Sequence, residues 1–260
     1  MTSPDGEALP GGNSGSRVVR DGGFIVKDAT PSTDAVHRYL GALHQAGIDV
    51  PLPHGRDGAG RQLLEFIDGT PAMAVPQLDH AALRRIGALV RSIHDASESF
   101  EIPAGIEWAS AIPAPGAELM CHNDLAPWNL LIGERWVFVD WDTAAPSTRL
   151  WDLAYAAQAF TLNDTSRAPA EAAGGLAAFA DGYGADAGLR STLPEVMIRR
   201  VDAMVTLLEQ SRSSGTEPWA SMHDEGHGDH WRAVRAYVAD NTDIWRRALT
   251  DGTSNRPTQA

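Results

Sequence analysis

The sequence predicts an α+β fold in two parts, a small β-rich N-lobe followed by a larger, mostly helical C-lobe. Short β-rich runs separated by Gly- and Pro-rich turns dominate the first 67 residues. From Val75 onward, apolar residues recur at helical spacing over long stretches. We therefore expect an N-terminal lobe over residues 1–67, with residues 1–10 mobile, and a helical lobe over 68–252. Residues 253–260 are expected to be a frayed tail.

The N-terminal part reads as a small sheet with one helix. The run RVVRDGGFIVKDA predicts a β-hairpin around an Asp-Gly-Gly turn. The run PSTDAVHRYLGALHQAG predicts a helix that Ser32 or Thr33 caps and Gly47 ends. PLPHGRDGAG is expected to be a loop, and RQLLEFIDG a short strand that ends in a turn.

The C-terminal part reads as helices around one hairpin. Helical runs are predicted at LDHAALRRIGALVRSIHDAS, TRLWDLAYAAQAF, APAEAAGGLAAFADGYG, LPEVMIRRVDAMVTLLEQ and DHWRAVRAYVADNTDIWRRAL. Between the first two lies a Pro-rich connection, GIEWASAIPAPGAELM, and then the segment Cys121–Asp142. Within that segment, LLI and WVFV are expected to pair as two strands joined by a Gly-Glu turn.

Composition restricts the class of protein. The chain is 43% hydrophobic and 21% charged, as in soluble globular proteins. It has no apolar run near the ~20 residues of a membrane span and no secretory signal pattern, so we expect no membrane partner. Its one cysteine, Cys121, excludes an internal disulfide framework and predicts a cytoplasmic location. The net charge of −13 argues against a nucleic-acid partner and is compatible with cationic ligands.

Polar side chains in the predicted hairpin segment have the spacing His122-x-Asp124-x-x-x-x-Asn129, with Asp140 after the second strand. Because a hairpin brings its two ends together, Asn129 and Asp140 are expected to emerge beside the loop that carries Asp124. Oxygen-bearing side chains that converge in this way suit Mg²⁺. Kinases use the same arrangement, in which a carboxylate faces the acceptor hydroxyl while an Asn and a second Asp hold the metal.

The same residues resemble a known family. HNDLAPWNLL, FVDWDTA and RLWDLAYAA look like the aminoglycoside phosphotransferase and choline kinase superfamily, whose fold is protein-kinase-like. The resemblance covers roughly residues 10 to 160 and is densest at 121–157. It implies that Asp124 is the catalytic base, that Asn129 and Asp140 bind Mg²⁺, and that His122 supports the loop. It also implies that Asp152 holds the backbone of that loop.

The resemblance further implies a nucleotide site in the N-terminal lobe. Lys27 would contact the phosphates, and the turn PGGNSGS, with Gly12 and Ser14, would cover the nucleotide. The hinge would run from Glu65 to Asp68 and include Ile67, with backbone groups facing adenine. Such contacts leave both ATP and GTP open as the nucleotide.

The chain departs from the pattern at three places. Asn123 stands where protein kinases carry Arg, and the segment after Asp140 is too short for a regulated loop, so a small-molecule kinase is favoured. The helix after Lys27 offers only Asp34 as an acid, so another acid pairs with Lys27 or none does. Asp142 stands where many members have Gly, and three interpretations are open: a metal ligand, a substrate contact or a surface charge.

The run MHDEGHGDHW holds three histidines that would bind zinc if they lined up on one helix face, namely His223, His227 and His230. Its two glycines favour a solvated loop instead. As an acidic loop near the acceptor pocket, Asp224 and Glu225 would contact a cationic substrate.

The sequence thus predicts a phosphotransferase that moves the γ-phosphate of ATP to a hydroxyl of a small molecule. The net charge favours a cationic acceptor such as an aminoglycoside. The alternative is a catalytically inactive kinase-like protein that binds a nucleotide or metabolite, suggested by the missing helix Glu. The sequence carries no signal for the oligomeric state.

Overall fold

The computed structural model describes residues 7–8 and 18–251 of the chain. Described residues up to Val75, together with 96–147, form one compact unit, and residues 76–95 with those from Thr148 onward form a second. The first holds the strands and the second is helical, so the predicted α+β class is confirmed. Within the described ranges, no helix is both long and apolar enough to cross a membrane.

The first unit contains three small antiparallel sheets. A five-stranded sheet has the order β1 (Glu7–Ala8), β2 (Val19–Asp21), β3 (Phe24–Lys27), β5 (Gln62–Glu65) and β4 (Pro53–Arg56). A three-stranded sheet has the order β6 (Thr70–Pro71), β8 (Leu130–Ile132) and β9 (Trp136–Phe138), and a two-stranded sheet pairs β7 (Leu119–Cys121) with β10 (Ala145–Ser147). The strand Glu7–Ala8 lies within the segment that we expected to be mobile.

The β2–β3 hairpin is confirmed, with Val19 opposite Val26 and a turn that Gly22 enables at φ +60°. Strand β3 then pairs with β5, which places Lys27 opposite Gln62. The prediction of a loop over PLPHGRDGAG was partly wrong, because Pro53–Arg56 form β4 against β5. Its exposed, polar side chains hide the strand from a hydrophobic pattern, since the pairing is supplied by the neighbouring strand.

Helix α1 (Thr33–Gln45) lies where the sequence predicts it. Ser32 occupies the N-cap position but makes no capping bond with its side chain. The Thr33 hydroxyl instead accepts a hydrogen bond from the Thr30 backbone N–H at 2.8 Å. At the other end, Gly47 takes φ +86° and its N–H donates to the carbonyl of His44, which ends the helix as predicted.

The helices of the second unit differ from the prediction mainly at their ends. Helix α2 (His80–Ser97) belongs to this unit except for its last two residues. The other helices are α3 (Arg149–Thr161), α4 (Pro169–Tyr183), α5 (Ala187–Ser214), α6 (Trp219–Met222), α7 (Gly228–Asp240) and α8 (Thr242–Asp251). Helix α5 begins before its predicted start because Asp186 caps it, its carboxylate accepting from the Leu189 N–H at 2.8 Å. The last predicted helix is two helices, which meet at Asn241.

Candidate active site

The β8–β9 hairpin brings the two proposed metal ligands to one end of the first unit. Leu130 pairs with Phe138 in the antiparallel register. The register continues to Asn129, whose backbone carbonyl accepts from the Val139 N–H at 2.8 Å. Asp140 is the next residue along the chain, so the hairpin places it beside Asn129.

Both Asn123 and Asp140 adopt left-handed backbone conformations, with φ +64° and +61°. Asn and Asp tolerate this region better than other residues with side chains, although it still costs free energy. The Asn123 amide stabilises the turn, because its Nδ2 donates to the carbonyls of Thr143 and Ala145, each at 3.2 Å. Asn123 therefore holds the loop around the site from within.

Replacing Asn123 with glycine or alanine separates these two contributions. Both variants lose the amide hydrogen bonds, but only alanine also carries the left-handed strain. We expect Asn123→Ala to lower the free energy of unfolding by about 1 kcal/mol more than Asn123→Gly. Denaturant titrations of the two variants measure this difference. Equal stabilities would show that the positive φ imposes no strain here.

His122 ties the loop to the strand that precedes Asp140. Its Nε2 lies 3.0 Å from the carbonyl oxygen of Val139, and its Nδ1 lies 3.3 Å from the backbone nitrogen of Asp124. A carbonyl only accepts and a backbone N–H only donates, so a neutral imidazole with its proton on Nε2 satisfies both. The ring is fully buried, which suits this supporting position.

Asp124 receives two side-chain donors from its own loop on a single oxygen. Its Oδ2 accepts from the Asn129 Nδ2 at 2.8 Å and from the Trp128 Nε1 at 3.3 Å. The Asn129 Nδ2 also donates to the backbone carbonyl of Asp124 at 3.0 Å. These bonds orient the carboxylate and join it to a proposed metal ligand. The bond from Trp128 to Asp124 is a contact that no motif in the sequence indicates.

Trp128→Phe tests whether the indole N–H orients the carboxylate. One hydrogen-bond donor is lost while the aromatic ring is kept. We expect kcat to fall about two- to tenfold, the range for one hydrogen bond, with ATP affinity unchanged. Steady-state kinetics and calorimetry measure the two quantities. A loss of ATP affinity without a change in kcat would contradict this role.

Lys27 lies at the end of β3 and is 5% exposed. Its Nζ is 2.8 Å from Asp140 Oδ1 and 2.8 Å from Asp142 Oδ2. Burial by itself lowers the pKa of Lys27, but the two carboxylates outweigh burial and hold that pKa above its ordinary value. Burial likewise raises the pKa of Asp140, and Lys27 outweighs it, so that pKa lies below its ordinary value. The Lys27 ammonium and the Asp140 carboxylate are therefore charged at neutral pH.

A count of residue types singles out Lys27 as well. It is the only lysine in the chain, where 20 of the 21 basic residues are arginine. An ammonium is a compact charge that binds phosphate without the fixed geometry of a guanidinium. Because lysine occurs at this position alone, its presence is a sequence signal for a functional group, and this signal is independent of the motifs.

The donor set fits a hard divalent cation. The Asn129 amide nitrogen is used by Asp124, which leaves the amide oxygen as the coordinating atom. Asp140 supplies a carboxylate, and Mg²⁺ binds such oxygen atoms while keeping water and phosphate ligands. Asn129 is 5% exposed and anchored at both backbone and side chain, so its position is well defined.

The predicted hinge follows β5. The Glu65 carboxylate accepts from Arg135 at 2.6 Å and from the Leu52 N–H at 3.2 Å, so its side chain fixes the strand end. The backbone N–H groups of Glu65 and Phe66 donate to Leu52 and Gly23. Within the described ranges, the N–H of Ile67 makes no hydrogen bond to another residue, which is compatible with the base contact that we predict at the hinge.

The role predicted for Asp152, holding the backbone of the catalytic loop, stays a prediction. Asp152 is buried in the second unit, where its Oδ2 lies 3.0 Å from His94 Nε2; His94 Nδ1 in turn lies 2.9 Å from the Tyr183 hydroxyl. Gly12 and Ser14 lie outside the described residues.

The acidic pair at 224–225 lies in a π-helical turn, His223–His227, rather than in the predicted loop. Gly226 breaks that turn with φ +104°. Asp224 is exposed and pairs with Arg212 at 2.9 Å. Among the described residues, the three histidines of the run do not form a metal-binding cluster.

Comparison with known proteins shows the family of the chain. The sequence matches the model of the phosphotransferase enzyme family over residues 5–111 and 101–192. It is 29% identical over 143 residues to the trifolitoxin immunity protein of Rhizobium leguminosarum bv. trifolii, covering 52% of this chain. The matched segment spans only about half, 54%, of that relative's length.

Solved structures show the same fold. A choline/ethanolamine kinase family protein from Mesorhizobium loti superposes with a TM-score of 0.64 at 15% identity, over 95% of this chain and 93% of that one. An amicoumacin kinase in complex with AMP-PNP, Ca²⁺ and Ami gives 0.66 at 13% identity, over 90% and 87%. The protein-kinase-like fold predicted from the sequence is confirmed.

Proposed function

Because the chain belongs to the phosphotransferase enzyme family, we propose that it transfers the γ-phosphate of ATP to a hydroxyl group of a small molecule. One observation carries this proposal: the first unit holds an oriented carboxylate and an oxygen donor pair in one loop-and-hairpin arrangement, and the buried lysine of β3 is paired with that arrangement at Asp140. These are the parts that phosphoryl transfer requires of a protein, namely positioning and charge stabilisation.

Each residue has a distinct role in the proposed reaction. Asp124 orients the acceptor hydroxyl and accepts its proton, while Trp128 and Asn129 fix the carboxylate. Asn129 and Asp140 would hold Mg²⁺, which neutralises charge on the phosphates when it is bound. Lys27 supplies a second positive charge toward the phosphates. The hinge backbone at Ile67 receives the base, and since backbone contacts do not select strongly, GTP is the alternative donor.

The acceptor class is proposed from the relatives and from charge. One relative is named an immunity protein for trifolitoxin and one similar structure is named a kinase for amicoumacin, so we place hydroxyl-bearing compounds of these two kinds first. An aminopropanol kinase, which superposes with a TM-score of 0.59, makes amino alcohols the next group to test. The net charge of −13 favours a cationic acceptor within either group, an aminoglycoside among them. A buried single thiol fits a cytoplasmic enzyme.

An acceptor screen tests the proposal. Purified protein is incubated with Mg²⁺ and ATP and with each candidate in turn: trifolitoxin, amicoumacin, aminoglycosides and amino alcohols. We expect mass spectrometry to detect one acceptor that gains a phosphate while ADP forms in equal amount. Asp124→Asn is the matched inactive control. Tight Mg²⁺-ATP binding without transfer to any acceptor would instead favour the non-catalytic, kinase-like alternative.

A further inference from the structure

Lys27 needs an acidic partner that helix α1 does not provide. Protein kinases pair the strand lysine with a glutamate of the following helix, which positions the lysine on the phosphates. Here the one acid of α1 is Asp34, at its first turn. Asp34 is exposed and pairs with Arg56 at 2.9 Å. The side chain that α1 presents to this region is His37, whose Nε2 lies 3.2 Å from the Gln62 Oε1.

Asp142 has the contacts expected of that partner. One carboxylate oxygen is 2.8 Å from the Lys27 ammonium. The other accepts a hydrogen bond from the Gln62 Nε2 at 3.0 Å. A carboxylate bonded through both oxygens to buried donors is not a surface charge. The three interpretations of Asp142 that the sequence left open did not include pairing with Lys27, because the two residues are far apart along the chain.

The contacts of Gln62 hold Asp142 in place. It is 2% exposed, and strand register sets it directly opposite Lys27. Its Nε2 also donates to the Asp28 carbonyl at 3.0 Å, and its Oε1 faces His37. A carboxamide oxygen only accepts, so the His37 Nε2 carries the proton in this contact. The amide thus uses both of its ends, and it connects α1 to Asp142.

The two acids that pair with Lys27, Asp140 and Asp142, would respond differently to a bound metal. Asp140 is a proposed metal ligand, so a cation would draw its charge away from Lys27. Lys27 would then be a buried ammonium without a partner, which is costly. Asp142 removes this difficulty because it remains paired with Lys27 whether or not Asp140 is occupied.

From these contacts we infer that Asp142 is the acid that anchors Lys27, in the role that a helix glutamate has in protein kinases, and that Gln62 is the positioning residue for Asp142. The inference rests on the proposed function for its consequence, which is correct placement of Lys27 on the nucleotide phosphates. Its structural part, the anchoring of Lys27, is testable without any nucleotide.

The single lysine makes the test specific. An amine-directed acetylating reagent has one lysine to modify in this chain. Because only a free and accessible amine reacts, mass spectrometry of the Lys27 peptide reports how firmly its ion pairs hold Lys27. The nucleotide-free wild type is compared with Asp142→Asn, with Gln62→Met and with Asp34→Asn, the matched control on α1. Circular dichroism and thermal unfolding establish that each variant is folded.

We expect Asp142→Asn to raise the acetylation rate of Lys27 several-fold, Gln62→Met to raise it less, and Asp34→Asn to leave it unchanged. In calorimetry with Mg²⁺, Asp142→Asn should weaken ATP binding on the order of tenfold or more, the range for a lost bond to a charged group. If Asp142→Asn does not fold, the acetylation rate of Gln62→Met decides. Unchanged acetylation in a folded Asp142→Asn protein, or an equal effect of Asp34→Asn, overturns the inference. A wild type that does not bind ATP would overturn the proposed function instead, and the acetylation rates would still decide the inference.

Discussion

Replacing Asp124 with asparagine is expected to lower kcat by roughly 10²- to 10⁴-fold, the usual contribution of a general base. Asparagine keeps the shape of the side chain and an oxygen that accepts from Asn129 and Trp128, so the loop should keep its geometry. It cannot take the proton of an acceptor hydroxyl. We therefore expect the dissociation constant for Mg²⁺-ATP to remain near that of the wild type.

Two measurements separate chemistry from binding in this variant. Phosphate transfer is followed with whichever acceptor the screen identifies, and ATP binding is followed by calorimetry. Asp202→Asn is the matched control, because Asp202 is half-exposed on α5 and only 3.8 Å from Arg235 in a surface pair. Full activity in Asp124→Asn would remove this residue from the mechanism, and a parallel loss of ATP binding would assign it to the nucleotide site.

Replacing Asp140 with asparagine is expected to abolish the dependence of ATP binding on Mg²⁺. The affinity for ATP should fall at least tenfold, which corresponds to a loss of roughly 1.4 kcal/mol or more in binding free energy. The carboxylate is lost both to the metal and to Lys27. Asparagine is preferred to alanine because Asp140 has φ +61°, a conformation that asparagine tolerates. An alanine variant would combine the loss of the ligand with backbone strain.

Calorimetric titrations of ATP with Mg²⁺ and with EDTA measure the effect. In the wild type, removing the metal should weaken binding strongly. In Asp140→Asn, the two titrations should nearly coincide at the weaker value. The wild-type response to metal, if it persisted in the variant, would show that another group holds the cation, and Asp142 would be the first residue to test.

Local signals in the sequence were sufficient for much of the fold. Glycine with its neighbours predicted the β2–β3 turn and the end of α1, because these depend on the backbone freedom of one residue. The β8–β9 hairpin followed from two apolar runs around a turn. Pro53–Arg56 escaped prediction because a polar edge strand is defined by the strand that it pairs with. The side chains expected to cap α1 contact Thr30 instead: its N–H donates to the Thr33 hydroxyl, and its own hydroxyl lies 3.0 Å from that of Ser32.

The candidate site divides in the same way. The spacing of Asp124, Asn129 and Asp140 was sufficient to name them, because a short hairpin joins them and leaves few arrangements. Neither Trp128 nor Asp142 could be assigned from spacing. An indole N–H bonds to whichever acceptor folding brings near it, and the Asp142 partners Lys27 and Gln62 are distant in the chain.

The sequence alone is enough to name the chemical groups: a loop carboxylate, two oxygen donors across a hairpin, and one lysine in the whole chain. The pairing among these groups depends on the tertiary structure. Lys27 and Asp140 are separated by 113 positions, and strand β5 inserts Gln62 between α1 and Asp142. Hydrogen bonds and ion pairs depend on distances of about 3 Å, and such distances between remote segments exist only after the sheets have formed.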